Sequence, residues 1–294
     1  MKLSSCFRNG EFVITSEVAP MKGCVRSGIE PSFLEEARKI APHVHAVNVT
    51  DNQSALMRLG SLAASVHLQR NRVEPIYQIT CRDRNRIALQ SDLLSACSLG
   101  IENVLCLTGD HIKLGDHQQA KAVFDIDSVQ LLTIANGLNK GYDMMGNLLS
   151  TPTDLCLGAV VNPNFEPLDL QLIKMEKKVK AGAEFFQTQA VYDPKIFEAF
   201  VNRARDFAVP LQYGIVIIKS PEMATYMNDH ISGIRIPDSL IKEIGSVPIQ
   251  ARKKKSIEIA VKLIKEIGPM VQGVHFMPIG WSDVVPEIIS RINA

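Results

Sequence analysis

The sequence lacks the features that would direct a protein to a membrane or to nucleic acid. It contains no run of about 18 apolar residues, the length that a membrane-spanning helix needs. Its 32 basic and 31 acidic residues leave a net charge of +1. A nearly neutral chain has no bulk attraction to nucleic acid or to anionic lipid. We therefore expect a protein that binds neither nucleic acid nor a membrane.

The six cysteines also lack any recognisable pattern. No C-x-x-C occurs, and no cysteine and histidine stand at zinc-finger spacing. Cys81, Cys106 and Cys156 lie in apolar runs, where a free thiol behaves as a small hydrophobic group. Free cysteines are typical of a reducing compartment, and the N-terminus contains no apolar core of a signal peptide. We therefore expect a cytoplasmic protein.

Short apolar runs alternate with helical patterns along the whole chain. Continuous apolar runs indicate parallel strands covered on both faces, and apolar residues three or four apart indicate helices. The predicted strands are Phe12–Val18, Ala46–Thr50, Pro75–Cys81, Val104–Thr108, Leu155–Val161, Phe185–Val191, Leu211–Ile218 and Gly273–Ile279. The predicted helices are Ser54–Gln69, Asn85–Ser98, Ser128–Leu138, Leu168–Ala181, Pro194–Phe207, Pro221–Asn228, Lys255–Ile267 and Ser282–Ile292. Eight repeats in 294 residues predict an α/β fold, one TIM (β/α)8 barrel domain over residues 1–294.

A doubly wound open sheet is the alternative to the barrel. That fold usually has fewer strands and a glycine-rich turn between its first strand and helix. The first turn here reads SEVAPMKG and has no G-x-G-x-x-G motif, which favours the barrel. The segment Gly233–Ala251 is interpreted as an insertion before the last pair of helices.

In a TIM barrel, the residues that close each strand at its C-terminal end carry the chemistry. The polar residues at these positions are Glu17, Thr50, Asp51, Gln78, Thr80, Thr108, Gly109, Asp110, Asn162, Gln187, Gln189, Lys219 and His275. Most are neutral hydrogen-bonding groups. Glu17 is predicted to be either a general acid or a carboxylate paired with Lys22 or Arg82.

The loop after the fourth strand contains two Asp-His pairs, Asp110-His111 and Asp116-His117. These side chains are of the right type for a metal, so a metal-dependent barrel hydrolase is one hypothesis. A metal site needs ligands that converge from several strands, and the pairs more often belong to a solvated loop. Gly109 also lets the backbone approach a ligand such as a phosphate closely.

Three arginines lie at the start of the helix that is predicted after the third strand. Arg82, Arg84 and Arg86 could clamp an anionic cofactor. Salt bridges to Asp83 and Asp92 are the alternative, and the residues alone favour those bridges.

Several segments together resemble the methylenetetrahydrofolate reductase family, from about Glu17 to Trp281. The segments that carry the resemblance are SEVAPMKG, VNVTDNQSA, QITCRDRNRIALQSDLLSACSLGIENVLCLTGDHIKLGD, VFDIDSVQLL, KKVKAGAEFFQTQAVYD and GVHFMPIGW. The resemblance implies a flavin-carrying TIM barrel of one-carbon metabolism, with FAD expected and FMN as the alternative. Such an enzyme reduces 5,10-methylenetetrahydrofolate to 5-methyltetrahydrofolate, or catalyses the reverse. A non-catalytic barrel subunit of a complex is a further hypothesis.

The resemblance also implies roles for individual residues. Glu17 resembles the general acid that protonates the folate nitrogen, Asp110 the carboxylate that faces flavin and pterin, and Gln189 the folate-binding glutamine. Residues expected to bind the flavin are Thr50, Gln78, Leu107, Thr108, Gly109, Asp110, Phe124, Asp127 and Lys178. Lys178 is expected at the phosphate or ribityl side, and no metal is expected.

Two positions depart from the family pattern. Gln78 stands where better-known members have a histidine. Pro221 stands where some members carry a phenylalanine that packs on nicotinamide and folate. The expected electron donor is therefore either NAD(P)H or a partner subunit, and a homo- or hetero-oligomer is expected. The chain has no cysteine cluster for an iron–sulfur centre, so such a centre would sit on another subunit.

Overall fold

Eight parallel strands close into a barrel in the computed structural model, which describes residues 1–293. The strands follow one another in chain order, and β1 pairs with β8 to close the sheet. They are β1 Val13–Val18, β2 Ala46–Val49, β3 Pro75–Thr80, β4 Asn103–Leu107, β5 Cys156–Val161, β6 Phe185–Ala190, β7 Leu211–Val216 and β8 Gly273–Met277. The predicted TIM barrel and all eight predicted strands are confirmed.

Helices surround the barrel and cover the outer face of the sheet, except for α1, which lies at its N-terminal end. They are α1 Leu3–Arg8, α2 Ser32–Ile40, α3 Ser61–Arg70, α4 Arg86–Ser98, α5 Ser128–Asn139, α6 Leu168–Lys180, α7 Pro194–Ala204, α8 Pro221–His230, α9 Asp238–Gly245, α10 Ile249–Ile267 and α11 Val285–Ile292. Within residues 1–293, we find no helix with both the length and the apolar character needed to cross a membrane.

Three helix predictions need correction. The helix predicted from Ser54 begins only at Ser61, because Ser54 and Ala55 adopt left-handed backbone angles that interrupt a helix. The helix predicted from Lys255 begins earlier, at Ile249, and so takes up the end of the supposed insertion, which also contains α9. The helix predicted from Ser282 becomes an α-helix only at Val285, after a short 3-10 turn over Ser282–Val284.

The short helix α1 fills the N-terminal end of the barrel. Leu3 and Cys6 are buried there against residues of the strand starts, including Val13, Ile76 and Phe185. The backbone N–H of Leu3 donates to Asn103 Oδ1 at 2.8 Å, which fixes the helix on the barrel. The barrel interior is therefore apolar at this end, and its buried polar side chains lie further along the strands, towards the C-terminal end.

Candidate active site

A cavity of about 400 Å³ lies at the C-terminal end of the barrel. It is lined by most of the expected site residues, namely Glu17, Gln78, Leu107, Thr108, Gly109, Asp110, Lys178 and Gln189. The strand-end residues Asp51, Thr80, Asn162, Gln187 and His275 also line it. A cavity of this size, with a few convergent polar groups, is of the kind that takes a small molecule.

Three expected site residues lie outside the cavity lining. Asp127 is the N-cap of α5, and its carboxylate accepts the N–H groups of Val129 and Gln130. Phe124 packs partly buried against the core with a left-handed backbone. Thr50 is buried, and its hydroxyl has no hydrogen-bond partner in the described chain. Any contact of these residues with a ligand remains a prediction.

Glu17 is the last but one residue of β1, and its side chain is only 11% exposed. The expected partners are occupied elsewhere, because Lys22 pairs with Asp116 at 2.5 Å and Arg82 pairs with Asp83 at 2.7 Å. The salt-bridge interpretation of Glu17 is therefore wrong. Its nearest ionisable neighbour is His275, whose Nε2 lies 3.7 Å from Glu17 Oε2. The geometry leaves the Glu17 carboxyl free to act on a molecule in the cavity.

His275 is the functional candidate to which sequence reasoning gave no role. It lies on β8, is 4% exposed, and places Nδ1 2.9 Å from Thr15 Oγ1. Residues 15 and 275 are direct neighbours in the register of β1 and β8. The sequence predicts that both residues lie on strands, but their contact depends on the closure of the barrel.

Asp110 lies at the mouth of the cavity, exposed on its outer side. Its Oδ2 accepts the backbone N–H of Ser54 at 2.9 Å, so the left-handed turn after β2 holds this carboxylate in place. The preceding Gly109 has φ +94°, and a Cβ there would lie 3.0 Å from Thr80 Cβ. A glycine is therefore required for the backbone to turn beside the cavity.

The remaining Asp-His residues hold the loop rather than forming a metal site. Asp116 accepts from Lys22 Nζ, from His117 Nδ1 at 2.8 Å and from Met57 N at 3.1 Å. The hydrogen bonds from Lys22 and His117 lower the pKa of Asp116 well below its usual range. Across residues 1–293, no three His, Cys, Asp or Glu side chains group in a way that could hold a metal ion. The hydrolase hypothesis thus gains no support from this loop.

The three arginines after β3 form ion pairs, the alternative that the sequence favoured. Arg82 forms a two-pronged pair with Asp83, at 2.9 and 2.7 Å. Arg84 binds Asp51 at 2.7 Å and Asp92 at 2.8 Å. Arg86 pairs with Asp125. Only Arg82 among them lines the cavity, and its charge is already balanced.

Lys178 brings an unbalanced charge to the other side of the cavity. Its side chain is buried, and its Nζ donates to the carbonyl oxygen of Val160 at 2.6 Å. Among residues 1–293 its ammonium forms no ion pair within 4 Å, although the more distant Asp127 carboxylate favours its charged form. Burial, aided by nearby Lys174, lowers the pKa of Lys178 to about 8. A buried cation without an acidic partner is a ready site for a ligand anion.

The fold and the cavity define a (β/α)8 barrel with an enzyme-like site, in which a carboxyl–histidine pair and an unpaired lysine face one pocket. A family model described as methylenetetrahydrofolate reductase matches residues 2–293. The chain belongs to that family, and the resemblance noted in the sequence is confirmed.

Curated relatives support the family assignment. Methylenetetrahydrofolate reductase 2 of Schizosaccharomyces pombe is 27% identical over 214 residues, covering 70% of this chain and 33% of that protein. Methylenetetrahydrofolate reductase (NADH) 1 of Arabidopsis thaliana is 31% identical over 157 residues, covering 50% of this chain and 26% of that protein. The chain thus spans about a third of the length of the curated relatives it matches.

Solved structures share the barrel. A Clostridium thermocellum protein that binds two copies of 5-methyl-5,6,7,8-tetrahydrofolic acid superposes with a TM-score of 0.64 at 15% identity, covering 99% of this chain and 97% of its own. A 2,3-dimethylmalate lyase of the PEP mutase/isocitrate lyase superfamily gives a TM-score of 0.53 at 10% identity, covering 100% and 85%. At these identities, the similarity shows the fold alone.

Proposed function

We propose that this chain catalyses the reduction of 5,10-methylenetetrahydrofolate to 5-methyltetrahydrofolate, or its reverse. The observation that supports the proposal best is the convergence of Glu17, Asp110 and Gln189 on one cavity. The same cavity contains Leu107–Gly109 and Lys178, which the family resemblance assigns to the flavin. The proposed acid, the proposed electrostatic group and the proposed cofactor site therefore share one space.

The residues around the cavity fit a flavin, on which this family generally depends. Gly109 keeps the backbone after β4 free of a Cβ that would collide with Thr80. Gln78 and Thr108 offer the hydrogen-bonding groups that the polar edge of a ring system requires. Lys178 offers an unpaired ammonium for a phosphate or a ribityl oxygen. Of the two flavins, FAD is the first proposal and FMN the alternative.

Glu17 is proposed to supply the proton. Opening of the five-membered ring of the folate needs a proton on the ring nitrogen that leaves, and it produces a cationic iminium. A carboxyl group held at the cavity wall with no ammonium or guanidinium partner can deliver that proton. The flavin, when bound, supplies or accepts the hydride.

Asp110 is proposed to act through its charge. A fixed carboxylate at the cavity mouth stabilises a neighbouring cation more than it would in bulk water. The iminium carries that positive charge, so Asp110 favours the ring-opened form over the closed one. Gln189 is proposed to hydrogen-bond the folate from the β6 side.

The direct test is product formation by the purified protein. The bound flavin is extracted and identified by mass spectrometry as FAD or FMN. The protein is then reduced with dithionite and mixed with 5,10-methylenetetrahydrofolate without oxygen. We expect 5-methyltetrahydrofolate in a single turnover. A protein that binds neither flavin would overturn the proposal.

The source of electrons is proposed to be either NAD(P)H or a partner subunit, with the chain acting in a homo- or hetero-oligomer. The two sources are distinguished by adding NADH or NADPH to the purified chain. Reduction of the flavin by either would support direct use of nicotinamide. Reduction only by protein purified with its native partners would support a partner subunit.

Lys178→Met is expected to weaken flavin binding about 10- to 100-fold, the range of a lost charge-assisted hydrogen bond worth ~1.5–3 kcal/mol. The pKa of Lys178 in the free site is about 8. Affinity of the wild-type protein should therefore fall as the pH rises through 8, because the ammonium loses its proton, and the variant should lose that step. Fluorescence titration of the flavin between pH 6.5 and about 9.5 measures both effects.

The matched control for this substitution is Lys180→Met on the same helix. Lys180 is 71% exposed and pairs with Glu176, away from the cavity. Its removal should leave flavin affinity and its pH dependence unchanged. Equal affinities for Lys178→Met and the wild type would show that Lys178 does not hold the cofactor.

A further inference from the structure

A network of buried polar side chains lies in the barrel interior beside Glu17. Its members are Thr15, Asn48, Gln187, Gln212 and His275, all between 0% and 4% exposed. They come from five different strands and contact one another through side chains alone. These groups are nearly or fully buried, so each hydrogen needs an acceptor among the protein groups around it.

The direction of every amide in this network is set by one backbone carbonyl. Gln212 Nε2 lies 3.0 Å from the carbonyl oxygen of Val13, which can only accept, so this atom must be the amide nitrogen. Gln212 Oε1 then accepts from Gln187 Nε2 at 3.0 Å. The remaining oxygen, Gln187 Oε1, accepts from Asn48 Nδ2 at 2.8 Å. Reversing any one amide would place two donors or two acceptors against each other.

The same directions determine the hydrogen of Thr15. Its Oγ1 faces Gln212 Nε2 at 3.1 Å and Gln187 Nε2 at 3.2 Å, and both are donors. Neither amide nitrogen can accept the single hydrogen of this hydroxyl. The third neighbour, His275 Nδ1 at 2.9 Å, is therefore the acceptor of the Thr15 hydrogen. A proton on Nδ1 would leave this hydroxyl, which is 0% exposed, with no acceptor.

We propose that Gln187, Gln212 and Thr15 are positioning residues that lock His275 as the neutral ring protonated at Nε2 only. In this tautomer the N–H points towards Glu17, 3.7 Å from Oε2. The unprotonated nitrogen, Nδ1, is turned away and occupied by Thr15. The ring thus presents a fixed N–H towards the carboxyl group of Glu17.

The fixed tautomer of His275 has a consequence for proton transfer from Glu17, which rests on the proposed function. Nε2 already carries a hydrogen, so His275 offers no lone pair to the proton of Glu17. The proton that Glu17 is proposed to deliver to the folate nitrogen therefore has no acceptor on His275. Once Glu17 has become a carboxylate, the N–H of His275 stabilises the new charge. The histidine therefore supports the acid without competing for its proton.

The test is the nitrogen NMR spectrum of the histidine rings in the full chain, without folate. The protein is labelled with ¹⁵N-histidine, and His275 is assigned among the seven histidines by the signal lost in His275→Gln. We expect an Nδ1 resonance typical of an unprotonated ring nitrogen and an Nε2 resonance typical of a protonated one. A protonated Nδ1, or averaging between the two tautomers, would overturn the proposal.

Thr15→Val tests whether Thr15 fixes the tautomer of His275, because valine keeps the shape of the side chain and removes its hydroxyl. We expect the two nitrogen resonances of His275 to move towards an average of both tautomers, and Thr15→Ser to restore the wild-type pattern. An unchanged spectrum in the valine variant would contradict the role of Thr15. If that variant does not fold, the wild-type spectrum alone decides. No turnover is involved, so failure of the lock and failure of the proposed reaction are separate results.

Discussion

Glu17→Gln is expected to slow folate reduction severely while the flavin stays bound. Glutamine preserves the size of the side chain, but it has no proton of suitable acidity to give. General acid catalysis contributes about 10²- to 10⁴-fold in rate, and we expect a loss in that range. Anaerobic stopped-flow absorbance of flavin reoxidation by 5,10-methylenetetrahydrofolate measures the rate of folate reduction alone.

The matched control is Glu35→Gln. Glu35 lies on the outer surface of α2 and pairs with Lys39, so its loss should leave the rate unchanged. A Glu17→Gln variant that reoxidises its flavin at the wild-type rate would show that the proton comes from another group. Loss of flavin from that variant would instead point to a structural role for Glu17.

Asp110→Asn is expected to raise the flavin reduction potential and to slow hydride transfer to folate. The asparagine oxygen can still accept the N–H of Ser54, so the loop should stay in place. What changes is the negative charge, which disfavours the added electrons of the reduced flavin and stabilises the cationic iminium. Loss of one preorganised electrostatic group costs about 10²- to 10³-fold in rate. Reductive titration against a reference dye measures the potential.

Asp154→Asn is the control for net charge in that titration. Asp154 precedes β5 at the opposite end of the barrel and pairs with Lys2. Removal of its charge should leave the potential unchanged. The electrostatic role of Asp110 fails if its asparagine variant has the potential of the wild type.

The strands could be predicted because each is an apolar run bounded by polar residues. Three helices were missed: α9 lies within the segment interpreted as an insertion, and α1 and α2 were missed for different reasons. The helix α1 has only six residues, too few to show a helical period. The helix α2 does carry the pattern in Phe33, Leu34, Ala37 and Ile40, all buried, so its signal was present in the sequence. The start of α3 was misplaced because Leu59, in the preceding loop, packs on the core and extends the apolar period.

The site was predictable in part, since strand-end residues of a barrel converge at one face. That rule correctly placed Glu17, Gln78, Asp110 and Gln189 around one cavity. The partners of these residues were not predictable, because they depend on register and loop contact. His275 contacts Thr15 because β8 pairs with β1 to close the barrel. Lys22 pairs with Asp116, in a loop far along the chain, and not with Glu17.

Reduction of the flavin by 5-methyltetrahydrofolate tests the central claim most directly. The purified, flavin-loaded chain is mixed with 5-methyltetrahydrofolate in the absence of oxygen, and the visible absorbance of the flavin is followed. We predict that the yellow colour bleaches and that 5,10-methylenetetrahydrofolate appears in equal amount. A loaded protein that keeps its oxidised spectrum, with the folate unchanged, would contradict the assignment of this site to folate reduction.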